Sequence, residues 1–133
     1  MSEYKHACAL IAMAEKDLKA LEGMRDAATF ADEIFGFHAQ QAVEKTLKAW
    51  IATQGLEYPL THNLARLLAI LEDEGAQVED FWDLTEYTAF AVEFRYGPLD
   101  MSQEPLNRPL VVSQVARLIE RVKGLMEGYG EQG

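Results

Sequence analysis

From Phe37 to Trp50 the chain runs Phe37-His38-Ala39-Gln40-Gln41-Ala42-Val43-Glu44-Lys45-Thr46-Leu47-Lys48-Ala49-Trp50, with no turn former inside. A run of that length and composition reads as helix. On a wheel of about 100° per residue, Phe37, Leu47 and Ile51 line one stripe, and Gln40 and Glu44 fall inside it. An amide and a carboxylate among apolar neighbours need hydrogen-bond partners, because burying them alone is costly. The run therefore predicts a helix that carries either a satisfied core network or an interface.

Four further segments show the helical period, and none shows the alternation of a strand. The first, about Glu3 to Gly23, repeats Tyr4, Ala7, Leu10, Ile11, Ala14, Leu18 and Leu21, with Ser2 as N-cap and Gly23 as stop. The run above belongs to a second segment, about Phe30 to Gln54. It opens on Thr29-Phe30-Ala31-Asp32, which has the form of a capping box, and closes at Gly55 before Pro59. Gly36 inside it marks close packing or a kink. The third starts near Thr61 and carries Leu64, Leu67, Leu68 and Leu71 until Gly75. The fourth, about Val78 to Tyr96, puts Leu84, Tyr87, Ala91 and Phe94 on one stripe before Gly97-Pro98. After a polar linker, Asn107 caps a fifth helix with Pro109 in its first turn and Leu110, Val111, Val115, Leu118, Ile119, Val122, Leu125 and Met126 on its apolar face. Short connections between amphipathic helices favour antiparallel neighbours. The expectation is all-α: an up-down bundle of four to five helices over residues 1–133 as a single domain, with a frayed tail over 128–133.

At 133 residues the chain is long enough to build a core without a disulfide or metal staple. Its single Cys8, beside Ala7 and Ala9 on an apolar face, reads as a buried structural cysteine and fits a reducing compartment. With no basic-then-apolar leader and no membrane-spanning run, the expectation is a cytoplasmic protein with no membrane partner. A net charge of −10 argues against broad phosphate-driven nucleic-acid binding, though not against a small basic cleft.

The constellations that carry chemistry are sparse. A bundle metal site needs paired Glu-x-x-His motifs, and only Glu3-Tyr4-Lys5-His6 matches, so no metal and no cofactor is expected. There is no nucleophile elbow and no phosphate-cradling glycine loop. Arg95, in Phe94-Arg95-Tyr96-Gly97-Pro98, sits at the edge of the fourth segment's apolar stripe. Its fork of donors suits a carboxylate or a phosphate. Either it forms a salt bridge to Glu44 or hydrogen bonds to Gln40 or Gln41, or it lines an anion- or RNA-binding cleft. His38 falls on the more polar side of the second helix near Lys45, and His62 precedes the third, facing its N-terminus or solvent.

Together these residues resemble a known family. The pattern Phe37-His38-Ala39-Gln40-Gln41-Ala42-Val43-Glu44-Lys45-x-Leu47-Lys48-Ala49 is similar to the signature helix of HEPN domains. The resemblance continues through Gly55, Pro59 and Thr61-His62-Asn63-Leu64-x-x-Leu67-Leu68, and into Arg95-Tyr96-Gly97-Pro98, similar to the family's Arg-Tyr-Pro element. Ala14-Glu15-x-Asp17-Leu18-x-x-Ala20 fits as well, so the match spans nearly the whole chain.

The resemblance is to the prokaryotic type associated with minimal nucleotidyltransferases. It implies a bundle that dimerises and, in many members, a nucleotidyltransferase partner encoded alongside in a toxin–antitoxin-like pair. Active members are metal-independent RNases whose motif is an Arg followed, after four to six residues, by a His. Here the slots after Arg95 hold Asp100, Met101 and Ser102, and the three histidines, His6, His38 and His62, all lie upstream.

Two readings follow. The leading one is a non-catalytic binding and interaction module: a homodimer and nucleotidyltransferase partner that takes a nucleotide or other phosphate near Arg95. Gln40, Gln41, Glu44, Lys48, Arg95 and Tyr96 would be its ligand or interface residues. The alternative is a ribonuclease toxin in which His38 or His62, with Arg95, replaces the missing acid–base group.

Overall fold

The computed structural model describes residues 2–91 and 105–132, and side chains within 3–91 and 105–128. The described residues form α1 (Ser2–Gly23), α2 (Asp32–Thr53), α3 (Leu64–Asp73), a 3₁₀ helix (Glu79–Phe90) and α4 (Arg108–Gln132), with no strand among them. Arg95, Tyr96 and the rest of 92–104, including the expected end of the fourth segment, lie outside the described residues.

Cross-element pairs set the directions. Asp17 of α1 meets both His38 and Lys45 of α2, while Met24, just after α1, and Glu15 within it meet Arg108 and Lys123 of α4. Phe90 packs on Gly36 and Phe81 edge-on against Trp50, so the 3₁₀ helix runs antiparallel to α2. Tyr87 donates to Gln114 and Arg117 reaches Asp80, so it is antiparallel to α4 too. The four long elements therefore alternate up and down, as expected. Helix α3 lies beside α2 and the 3₁₀ helix, tied by Leu64 N to Thr88 Oγ1 at 3.1 Å and by Trp82 Nε1 to Glu72 at 3.2 Å.

The core is built from the expected stripes, with informative exceptions. Ala7, Ile11, Ala14 and Leu21 of α1 are buried, but Tyr4 is exposed. Cys8 is exposed as well, which corrects the buried reading: the buried face follows Ala7, Ile11 and Ala14, and position 8 lies about 100° away from Ala7. On α2, Phe35 takes the buried place expected for Phe37, which is half-buried, while Leu47 and Ile51 are buried as expected.

Helix ends follow local chemistry. Thr29 forms no capping box; its hydroxyl donates to Asp26 at 2.6 Å in the preceding turn, and α2 starts after Ala31 without a side-chain cap. Helix α3 starts at Leu64, later than Thr61, because Thr61 Oγ1 accepts from Asn63 N and Asn63 itself caps the helix by accepting from Arg66 N. Asn107 Oδ1 accepts from Leu110 N at 3.2 Å, the expected cap of α4. Gly55 and Gly75 follow α2 and α3 with φ of 77° and 89°, a left-handed turn that glycine adopts at no steric cost. Helix α4 runs to Gln132.

The largest departure is the fourth segment. It is a twelve-residue 3₁₀ helix, where an α-helix was expected. The buried residues Val78, Phe81, Leu84, Tyr87 and Phe90 recur every third position. Three residues per turn stacks them in one line, whereas an α-helix would rotate each by about 60° from the last. Packing this line of residues onto α2 and α3 outweighs the poorer hydrogen-bond geometry that normally keeps 3₁₀ helices short.

Candidate functional site

Gln40, Glu44 and Lys48 are spaced four apart on α2, so they share a face. That face looks toward the loop leading into α3, which carries His62. Glu44 is the centre: only 6 % of its surface is exposed, and Gln40 is fully buried. Glu44 Oε1 accepts from Gln40 Nε2 at 2.8 Å and from His62 Nδ1 at 2.8 Å, while Oε2 accepts from Lys48 Nζ at 2.9 Å. Gln40 Nε2 also donates to the His62 carbonyl at 3.2 Å, and Gln41 Nε2 donates to Gln40 Oε1 at 2.8 Å. The amide and carboxylate that looked misplaced in the sequence thus satisfy each other within the core.

Burial pushes the Glu44 carboxyl upward, but the hydrogen bonds from Lys48, Gln40 and His62 and the charge of Lys48 outweigh it and hold the group below its ordinary value of 4.5. Glu44 is therefore ionised at neutral pH. An ionised carboxylate only accepts, so the shared proton belongs to His62 Nδ1, and in the tautomer this contact selects Nε2 is the nitrogen without a proton. With 43 % of its side chain exposed, His62 is the most open member of the cluster. Lys48 lies 5.2 Å above the Tyr58 ring centre, and the ring of His6 stacks on Tyr58 and bonds its hydroxyl. The polar network thus passes from Gln41 through Gln40 and Glu44 to His62 and Lys48, and from Lys48 to Tyr58 and His6.

His38 is not part of this cluster. It lies on the opposite side of α2, where Asp17 accepts from His38 Nδ1 at 3.1 Å and from Lys45 Nζ at 2.8 Å. That trio ties α2 to α1. Of the residues expected at a site, the structure brings together Gln40, Gln41, Glu44, Lys48 and His62 and sets His38 apart; Arg95 and Tyr96 lie outside the described residues. Among the described residues no group of three metal-ligating side chains converges, and no helix is long and apolar enough to cross a membrane.

The sequence reading missed one buried arginine. Arg108, at the start of α4, donates to the carbonyls of Met24 and Phe30 and to Asp32 Oδ1 at 2.9 Å, and lies 4.7 Å from the Phe35 ring centre. Asp32 Oδ2 accepts from Leu106 N at 3.0 Å. Arg108 thereby holds the α1–α2 turn onto α4. Its position beside Asn107-x-Pro109 concealed it as a helix-start residue.

The HEPN-domain family model matches residues 7–129, which runs from the first turns of α1 to the last turns of α4. The chain belongs to the HEPN family. No curated protein and no solved structure gives a significant match. Membership connects this HEPN bundle to a family with nucleotide- or RNA-related functions that includes ribonuclease toxins and whose domains commonly dimerise. In this HEPN chain the polar cluster joins the signature helix α2 to the Thr61-His62-Asn63-Leu64 element, two of the segments that carry the resemblance.

Proposed function

We propose that this HEPN protein is a cytoplasmic binding and interaction module. It forms a homodimer, pairs with a minimal nucleotidyltransferase encoded beside it, and takes a nucleotide or other phosphate-bearing ligand where Lys48 and His62 meet, with Gln41, Arg95 and Tyr96 as further contacts. Gln40 and Glu44 are the scaffold of that surface. The observation that carries the reading is the convergence of two basic side chains on one buried carboxylate in a chain of net charge −10. Lys48 spends one of its three N–H donors on Glu44 and has others for a phosphate. Co-expression with the neighbouring gene product, followed by size-exclusion chromatography, tests the pairing: one co-eluting complex is expected, and two separate peaks at micromolar concentration overturn it. Calorimetric titration with ATP, repeated on Arg95→Ala and Lys48→Ala, tests the ligand.

A second reading is favoured by one contact. The bond from His62 Nδ1 to Glu44 prepares an imidazole for proton transfer, which supports a metal-independent ribonuclease with a displaced acid–base group. Incubating the purified protein and Arg95→Ala with cellular RNA tests it. Identical RNA patterns, with no cleavage by either, remove it.

A further inference from the structure

If the chain cleaves RNA, it needs a group that moves a proton, and the family's slots after Arg95 hold no histidine. We infer that His62 is that group, acting through Nε2, and that Glu44 is its positioning residue. The inference rests on the ribonuclease reading and names the residues that would perform it.

The three histidines are all bonded, but they are not equivalent. His6 spends Nε2 on the Tyr58 hydroxyl, with its ring stacked on Tyr58. His38 shares Asp17 with Lys45 and works as a clip between α1 and α2, its ring edge-on to Phe37. His62 is clamped at two points: its ring by Glu44 Oε1 and its carbonyl by the Gln40 amide. Both clamps come from buried side chains of one rigid helix, so neither the ring's orientation nor its tautomer is left to a mobile loop. Nε2 has no partner among the described residues and belongs to a side chain that is 43 % exposed. A carboxylate behind Nδ1 and an open Nε2 in front is the arrangement that lets an imidazole take a proton and stabilises the imidazolium that forms.

Place also favours His62. Leu64 N donates to Thr88 Oγ1, which ties the start of α3, just after His62, to the C-terminal end of the 3₁₀ helix. Lys48 supplies a cation beside the same carboxylate. The substrate class that fits is a phosphodiester with a neighbouring hydroxyl, which is RNA and not DNA. Nε2 takes the proton of the 2′-hydroxyl; the O2′–P bond forms and the P–O5′ bond breaks. The leaving 5′-oxygen takes a proton from water, and the imidazolium returns its proton to the hydroxide. The ring ends as it began, and the products are a 2′,3′-cyclic phosphate and a 5′-hydroxyl. No oxidant, reductant or metal enters the balance.

The experiment uses the full chain, a synthetic RNA and the same oligonucleotide with 2′-deoxy residues. Wild type is expected to cut only the RNA and to leave 2′,3′-cyclic ends. His62→Gly is expected to lose about 10²–10⁴-fold in rate, with partial rescue by added imidazole. Glu44→Gln is expected to lower kcat with little change in KM, and His38→Ala to cut normally. RNA cleavage by wild type that His62→Gly leaves intact overturns the assignment while the ribonuclease reading stands. No cleavage of any RNA by wild type overturns the reading itself. Nitrogen chemical shifts of His62 provide a readout besides activity: the proton is expected on Nδ1, and a proton mainly on Nε2 of the neutral ring overturns the positioning role of Glu44.

Discussion

Replacing Glu44 with Ala tests the central network most severely, because its three donors recover differently once the carboxylate is gone. His62 is partly exposed and regains water. Gln40 is fully buried but keeps one acceptor, the His62 carbonyl. Lys48 is only 12 % exposed and is left as a cation without its counter-charge. Breaking a buried pair by removing one partner costs roughly 3–5 kcal/mol, and a hydrogen bond to a charged group contributes about 1.5–3 kcal/mol. Discounting for the water that reaches His62 and the end of Lys48, Glu44→Ala is expected to destabilise by about 3 kcal/mol, a Tm loss of roughly 10 °C for a chain of this size. Glu44→Gln keeps the shape and one acceptor and is expected to lose about half as much.

The same group gives a pH signature. Its carboxyl is held below 4.5 in the folded state, so the stabilisation is complete above that value and is lost as pH falls through the folded-state value. The stability gap between wild type and Glu44→Gln is therefore expected to shrink as pH falls below about 4.5. Urea titrations followed by circular dichroism at each pH measure both effects. A Glu44→Ala protein that melts within a degree of wild type, or a gap that does not shrink as pH falls below about 4.5, refutes the argument that this network contributes stability.

Two further substitutions examine how the fold is held. Gly36→Ala gains about 1 kcal/mol of helix propensity. The added Cβ, however, would lie 2.4–2.7 Å from three atoms of the buried Phe90 ring. Overpacking a rigid ring costs about 1–3 kcal/mol, so a net loss in chemical denaturation is expected, with partial recovery in the Phe90→Leu background; a more stable Gly36→Ala refutes it. Arg108→Lys keeps the charge but cannot reach the Met24 and Phe30 carbonyls and Asp32 together. It is expected to cost about 2–3 kcal/mol, and an unchanged urea midpoint refutes the role assigned to Arg108.

The helical period of the apolar residues determined most of this bundle before any coordinates. Five segments, the glycine stops after α2 and α3 and the Asn107 cap follow from local rules, because helix hydrogen bonds and caps are made within a few residues. The opening run also fixed that Gln40 and Glu44 would be buried polar groups needing partners, since spacing alone decides which face a residue occupies. What spacing does not decide is which partner arrives from elsewhere in the chain. His62 reaches Glu44 across eighteen positions, and Asp17 reaches His38 across twenty-one, only once the elements pack.

The 3₁₀ helix shows the same division. Its three-residue repeat from Val78 to Phe90 is legible in the sequence. The choice of a tighter helix over an α-helix comes from packing that stripe onto α2 and α3, a cooperative effect with no local signature. Cys8 likewise looked buried on composition and is exposed, because the hand of packing of α1 put the Ala7–Ile11–Ala14 edge inward. The sequence by itself determined helices, stops and the family. Only the tertiary structure decided that a buried carboxylate would hold an open histidine, because long-range contacts depend on every element being in place at once.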